Sequence, residues 1–314
     1  MQNIIEPIDR ELIIKELTPE RLLRKANKGF NEVYVIDAFN APNTMKEIGR
    51  LREIAFRDAG GGTGKDCDID EFDTMENPCR QLLVWDPNDK EIVGGYRFIL
   101  GEDIKMKHNI PNIATSHMFG FSEKFLRDIL PQTIELGRSF VSTDYQSTRS
   151  NTKAIYVLDN LWDGLGALTV LYPQIKYLFG KVTMYPSYGA ECRDILLGFL
   201  HKYFKDEDGL VKPLEELPNN SKSEEIQKLF TGKDFKEDYR ILNQKIRSLG
   251  QNIPPLVNAY MSLSPTMKVF GTAVNYEFGE VEETGILLKI EDIFEEKKKR
   301  HVHSFDESET RFAK

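Results

Sequence analysis

The sequence predicts an α/β protein built on a mixed sheet. Two observations carry this. Segments rich in β-branched and aromatic residues alternate with segments whose apolar residues recur at helical spacing, and one pair of apolar segments is joined by a short turn. From residue 32 to 204 the order reads strand, helix, hairpin, strand, helix, strand, helix.

Each element has its own reason. "TPERLLRKANKG" predicts a helix capped by Thr18, with Pro19 first and Gly29 at its end. "EVYVIDAF" (32–39) predicts a strand. The next helix takes Asn43 as its cap, carries Met45, Ile48, Leu51 and Ala55 on one face, and stops at three glycines. "RQLLVWDPNDKEIVGGYRFIL" predicts a hairpin turning at Pro87-Asn88-Asp89. A helix near 122–130, a strand at 132–141 and a helix with a Leu158-Leu161-Leu165-Leu168 stripe ending at Pro173 follow. After them come a strand at 176–186 and a helix at 191–204. Residues 206–250 are polar and predict two appended helices, near 221–231 and 234–249. "KVFGTAVNYEF" and "ETGILLKIED" predict two late strands, and the charged end after 292 a frayed helix or disordered tail.

Composition narrows the function classes. The chain has 314 residues, 40% hydrophobic and 29% charged, with net charge −8. That is a folded composition and a poor one for a nucleic-acid binder. Three cysteines without a C-x-x-C suggest neither a disulfide framework nor a structural zinc site. No apolar run approaches the roughly 20 residues that span a bilayer, and the N-terminus does not read as a signal peptide. The expected location is cytoplasmic. For the basic run Lys297–Arg300 a solvated tail is preferred to a peripheral membrane contact.

Several motifs fail on inspection. "GGGTGKD" (60–66) resembles a phosphate loop but has Ala59 and Asp66 where Gly and Ser or Thr are required, and it follows a helix. A mobile loop is the expectation there. "DCDIDEFD" offers Asp66, Asp68 and Asp70 at calcium-loop spacing but has Glu71 and Asn77 where Gly and Glu belong. No H-E-x-x-H or G-x-S-x-G occurs, so no metal site is expected and a nucleophile-elbow hydrolase is disfavoured.

What survives is a set of charges in apolar contexts: Arg52 with Phe56 at helical spacing, Asp70 and Asp73 around Phe72, Arg97 in "GGYRFIL", and Glu135 and Arg138 in "ELGRSF". Burying any one alone costs several kcal/mol, whereas converging on one pocket they satisfy each other. A structural ion-pair network is the alternative. A regular strand would send Glu135 and Arg138 to opposite faces. A bulge at Gly137 would bring them to one face.

The order "LR…F", "D-x-x-D", "YR", "E-L-G-R-S" resembles that of the acyl-homoserine-lactone synthases. It also resembles their relatives, the bacterial N-acyltransferases of amino-acid lipids (the ornithine- and glycine-lipid enzymes, some labelled "hemolysin"). The likeness runs from about Ile48 to Leu288. "PPLVNAYMSL" and "NYEFG" resemble the C-terminal part of the ornithine-lipid enzymes, whereas the synthases' Trp has no counterpart in "RDAGGGTGK". "FNAPN" and "GGGTGK" are nearest the glycine-lipid type. The resemblance implies a GNAT-like acyltransferase fold with a mixed, mostly antiparallel central sheet flanked by helices. Residues 1–205 would form the acyltransferase core, 206–250 a helical insertion, 251–292 the C-terminal strands completing the sheet, and 293–314 a charged tail.

The implied reaction moves a fatty or 3-hydroxy-fatty acyl chain from acyl carrier protein to the α-amine of glycine or ornithine. Phosphopantetheine of the carrier, or coenzyme A, is the co-substrate, and no permanently bound cofactor is expected. Attack on a thioester needs a base for the amine's proton and donors for the carbonyl oxygen. Glu135 suits the base. Arg138 and Arg97 would hold the acceptor's carboxylate or position Glu135. Asp70 and Asp73 would orient the ammonium or lock the arginines, Arg52 would close the network with Phe56 beside it, and the backbone near Gly137 would serve the thioester oxygen. The loop "QSTRSN" lacks the glycines of acetyl-coenzyme-A enzymes, so Ser150, Asn151 and Thr152 would hold the single phosphate of a carrier-bound arm. Arg149, Lys153 and Lys181 would face the acidic carrier, with ordinary surface charge the competing reading. The other functional readings are an S-adenosylmethionine-dependent signal synthase and a non-catalytic carrier- or membrane-binding module.

Overall fold

The computed structural model describes residues 1–146, 152–231 and 233–312. The chain forms two compact units, Met1–Ala114 with Pro131–Lys176 and Phe294–Lys314, and Thr115–Leu130 with Tyr177–Ile293.

The main sheet of the first unit is built from β1 (Leu22–Lys25), β2 (Glu32–Ile36), β3 (Arg80–Asp86), β4 (Glu91–Leu100) and β5 (Thr133–Val141), each antiparallel to the next. Its helices are α1 (Arg10–Glu16), α2 (Pro42–Ala59), the single turn α3 (Glu71–Thr74), α4 (Thr152–Leu171) and the C-terminal helix Glu295–His301. Alternation along the strands divides the sheet's two faces. Val33, Val35, Leu82 and Val84 share one face by their pairing. There α4 packs so closely that a Cβ on Gly164 would meet Leu82 and Val33 side-chain atoms at 2.8–2.9 Å. Gln81 and Arg97 point to the other face, toward α2 and α3.

The second unit carries β6 (Tyr177–Met184), β7 (Lys268–Asn275) and β8 (Val281–Lys289), with β8 paired antiparallel to both others. Helices α5 (Ala190–Phe204), α6 (Glu224–Leu229), α7 (Phe235–Ser248) and α8 (Pro255–Met261) accompany them. Phe121, Phe125, Phe179 and Phe270 form a chain of ring contacts in its core, centroids 5.1–6.2 Å apart.

The structure corrects several local expectations. The helix expected over 18–29 is a short turn followed by β1. Its residues are good helix formers, but pairing with β2 buries Leu23 and overrides propensity. Asn43 does not cap α2. Pro42 is its first residue, and the α1 residue Glu16 accepts from the Asn43 and Thr44 amides at 3.0 and 2.7 Å. Burial opposes ionisation of Glu16, yet these bonds hold its carboxyl below the usual range. The helix expected near 122–130 does form, but it is wound as a π-helix over Phe125–Ile129. The charged end is no frayed tail, since Glu295–His301 is helical and His301 is buried.

The glycine-rich loop is also not loose. Glu53 of α2 is fully buried and accepts from the Thr63 amide (3.1 Å), the Thr63 hydroxyl (2.7 Å), the Gly64 amide (2.8 Å) and Arg57 Nε (2.7 Å). The loop does gather N–H groups around an anion, as its sequence hints. The anion is the chain's own carboxylate.

Candidate active site

The site is built where β4 meets β5. Arg97 pairs with Gly137 and Ile99 with Glu135, so Arg97, Gly137 and Glu135 share a face. Gln81 pairs with Arg97 from β3 and joins them. The next pair is Gly95 with Phe140. Tyr96 therefore stands alone against Arg138 and Ser139, which is a β-bulge.

Arg138 takes a left-handed backbone, φ 49°, while Gly137 does not take a positive φ. The expected kink thus falls one residue later, on the arginine. A non-glycine residue there costs about 1–2 kcal/mol. Two carboxylates offset that cost: Arg138 Nε lies 2.9 Å from Asp68 Oδ2 and Nη2 3.4 Å from Asp70 Oδ2. Because Arg97 also reaches Asp70, Arg138 and Glu135 face the same side, as the sequence required of a bulge.

The carboxylates are positioned by local chemistry. Asp70 caps α3, accepting from the Phe72 and Asp73 amides at 3.0 and 3.3 Å, and Asp73 returns the favour to the Asp70 amide at 3.1 Å. This reciprocal cap aims both acids at Arg97, whose Nη1 lies 2.7 Å from each Asp70 oxygen and 3.3 Å from Asp73 Oδ2. The Phe72 ring sits 5.6 Å from the Arg97 guanidinium. Arg52, fully buried, reaches Asp73 at 3.3 Å and also donates to Gln81 Oε1, and Gln81 Nε2 donates to Asp73 at 2.9 Å. Asp68 arrives because its segment lies against α2: its amide donates to Gly49 O at 3.0 Å. A Cβ on Gly49 would stand 2.6 Å from Cys67 Sγ, so this approach needs glycine.

Electrostatics follows from the packing. Burial opposes ionisation of Asp70, but Arg97 and Arg138 outweigh it and hold its carboxyl well below the usual range. Burial likewise works against the Arg97 charge, but Asp73 and Asp70 outweigh it and raise its pKa. Burial pushes the Cys67 thiol up to about 11 and that of Cys79 to about 12. Neither is a thiolate near neutral pH, which disfavours thiol nucleophiles. Within the cluster Asp70 and Arg138 reach the surface, their side chains 20% and 13% exposed; Arg52, Asp68, Asp73, Arg97 and Glu135 are buried.

The structure therefore brings together Arg52, Asp70, Asp73, Arg97, Glu135, Gly137 and Arg138. Phe56 is buried one helical turn after Arg52. Arg149, Ser150 and Asn151 lie outside the described residues, as do the side chains of Thr152 and Lys153. Lys181 is not a docking residue with its charge at the surface: it is nearly buried and paired with Glu283 at 2.5 Å. Sequence reasoning missed Asp68 and Gln81. Asp68 was absorbed into the failed calcium loop, and Gln81 is a lone amide in the apolar strand "RQLLVWD".

A family model described as an acetyltransferase (GNAT) domain matches residues 51–155, which contain this cluster. A glycine N(alpha)-acyltransferase of Bacteroides thetaiotaomicron is 60% identical over 309 residues, 98% of this chain and 92% of that protein. A protein of the same name from Phocaeicola vulgatus is 58% identical over 306 residues, 97% of this chain and 94% of that one. Among solved structures, the AHL synthase LasI is similar at 16% identity and TM-score 0.32, over 50% of this chain and 74% of that one. The chain belongs to the glycine N(alpha)-acyltransferase family and is an acyltransferase with a GNAT-like α/β fold.

Proposed function

We propose that this acyltransferase moves a fatty or 3-hydroxy-fatty acyl chain from the phosphopantetheine thioester of acyl carrier protein to the α-amine of glycine, in the synthesis of an amino-acid lipid. The observation that carries the reading is the bulge at Arg138–Ser139, which gathers a buried carboxylate and an open acid–base pair on one face. The names of the two relatives favour glycine over ornithine as acceptor.

A free amino acid is a zwitterion. Asp70 and Arg138, 3.4 Å apart and both partly open, match its ammonium and carboxylate. Arg97 and Arg52 act as positioning residues, fixing Asp70 and Asp73 from below. Glu135 takes one proton from the ammonium, and the amine lone pair attacks the thioester carbon. The C–N bond forms, the C–S bond breaks, and the second amine proton passes to the leaving sulfur, which departs as thiol. A bulge leaves a backbone N–H outside the ladder, and here it would donate to the oxygen that gains charge.

The test is direct. Purified protein is mixed with long-chain acyl carrier protein and either glycine or ornithine, and thiol release and product mass are followed. Glycine-dependent release with N-acylglycine formed supports the reading. Release independent of any amino acid contradicts acyl transfer to an amine, and a preference for ornithine contradicts the acceptor.

A further inference from the structure

We infer that the end of the first unit's sheet beside the Arg97 cluster contacts lipid, and that its partner is an anionic bilayer surface. Three large apolar side chains stand open there: Phe39 is 65% exposed, Met106 51% and Ile110 54%. Topology places them together. Ile36 ends β2 and pairs with Gln81, which pairs with Arg97. Phe39 follows Ile36 by three residues. Leu100 ends β4 three residues after Arg97, and Met106 follows it by six. Both loops therefore leave the sheet at the end where the acid–base cluster lies.

Both are built to hold their tips out. The Asp37 carboxylate accepts from the Phe39 and Asn40 amides at 2.8 and 2.9 Å, and Asn40 Nδ2 donates to it at 2.8 Å. Met106 pairs with Pro111 and Lys107 with Ile110 in a two-residue hairpin, with His108 and Asn109 both left-handed at φ 52° and 64°. The hairpin base is tied by Asn112 N to Lys105 O at 2.9 Å and by Arg80 to Asp103 at 3.2 Å.

Charge selects the partner. Lys105, Lys107 and His108 are exposed on the hairpin, and Lys46 is exposed just beyond the Phe39 loop. Of the nearby acids, Asp37 is used within its turn, Asp103 pairs with Arg80 and exposed Glu102 accepts from Gln174, leaving exposed Glu76 beside the hairpin to set against Lys105, Lys107 and Lys46. Apolar tips flanked by lysines suit insertion between anionic headgroups. Separate protruding tips suit a deformable bilayer better than a folded protein, whose interface needs a packed continuous core. If the acyl-transfer reading holds, the long-chain product then reaches the bilayer without crossing water.

The test is vesicle flotation, which needs no turnover and so fails or succeeds separately from that reading. Vesicles of equimolar phosphatidylcholine and phosphatidylglycerol are compared with phosphatidylcholine alone. The intact chain is expected to float with the anionic vesicles. Phe39→Glu/Met106→Glu/Ile110→Glu, and separately Lys105→Gln/Lys107→Gln, should lower partitioning by about tenfold or more, with unchanged circular dichroism. The proposal is overturned by an intact chain that stays unbound, or by either variant binding as before. It is equally overturned by variants that lose capture of acyl carrier protein while keeping vesicles.

Discussion

Asp163 and Asp70 are both carboxylates of the first unit ringed by donors, and they are used differently. Asp163, on α4, is fully buried and sealed. It accepts from the Asn27 amide at 2.8 Å and from Asn27 Nδ2 at 2.7 Å, and His301 Nδ1 lies 2.7 Å away. Arg24 closes over the same group through Asn27 Oδ1 at 2.6 Å. Gly166 permits the contact, since a Cβ there would stand 2.1 Å from His301 O. The backbone around Asp163 is ordinary helix. Asp70 is partly open, sits beside a left-handed arginine and faces a broken ladder. Buried charge by itself marks neither stability nor function. Strain and access separate the two clusters: the first pins the C-terminal helix to α4, and the second is the one proposed to take the acceptor.

The sharpest way to break the comparison is to open the sealed cluster. Asp163→Ala removes the acceptor of the Asn27 amide and the partner of His301 Nδ1 and should cost about 3–5 kcal/mol. Thermal or urea unfolding reads this, and turnover per folded molecule should stay near normal. A proportional loss of turnover would mean the two clusters are not separate. Acid titration comes next. The carboxyl of Asp70 is depressed in the fold, so its contribution is complete above the ordinary unfolded pKa of about 3.9. It is lost as pH falls through the folded value. Asp70→Asn should flatten the acid limb of the stability curve below about pH 4, and an unchanged limb would count against the Arg97–Asp70–Arg138 coupling. The smallest effect on stability is expected of Arg138→Gly. Relief of about 1–2 kcal/mol of backbone strain offsets only part of the about 3–5 kcal/mol cost of leaving buried Asp68 without its arginine, so stability should fall by about 2 kcal/mol while KM for the acceptor rises. A large loss of stability with unchanged KM would make Arg138 structural, like the Asp163 cluster.

Much of this was legible in the chain, and the gaps have physical causes. β-branched runs marked β2, β4 and β5, and "DPNDK" marked the turn between β3 and β4. β1 was hidden because four residues of helix formers become a strand only through β2. α3 was hidden because four residues show no period, although its reciprocal cap is written in Asp70 and Asp73. The charged residues of the site stood out against apolar neighbours. Asp68 did not, because what brings it in is the close approach at Gly49, a contact between segments. The bulge was legible from Glu135 and Arg138 needing one face. Its placement was not, because the carboxylates that hold Arg138 left-handed come from elsewhere in the chain.

Glu135, on the bulged strand's site face, is the residue proposed to remove the acceptor's proton. Steady-state turnover of Glu135→Gln with glycine and acyl carrier protein tests it most directly. The kcat of Glu135→Gln should fall by about 10²–10⁴-fold with the melting temperature close to that of the unmodified chain. Near-normal kcat in a folded Glu135→Gln protein would contradict it.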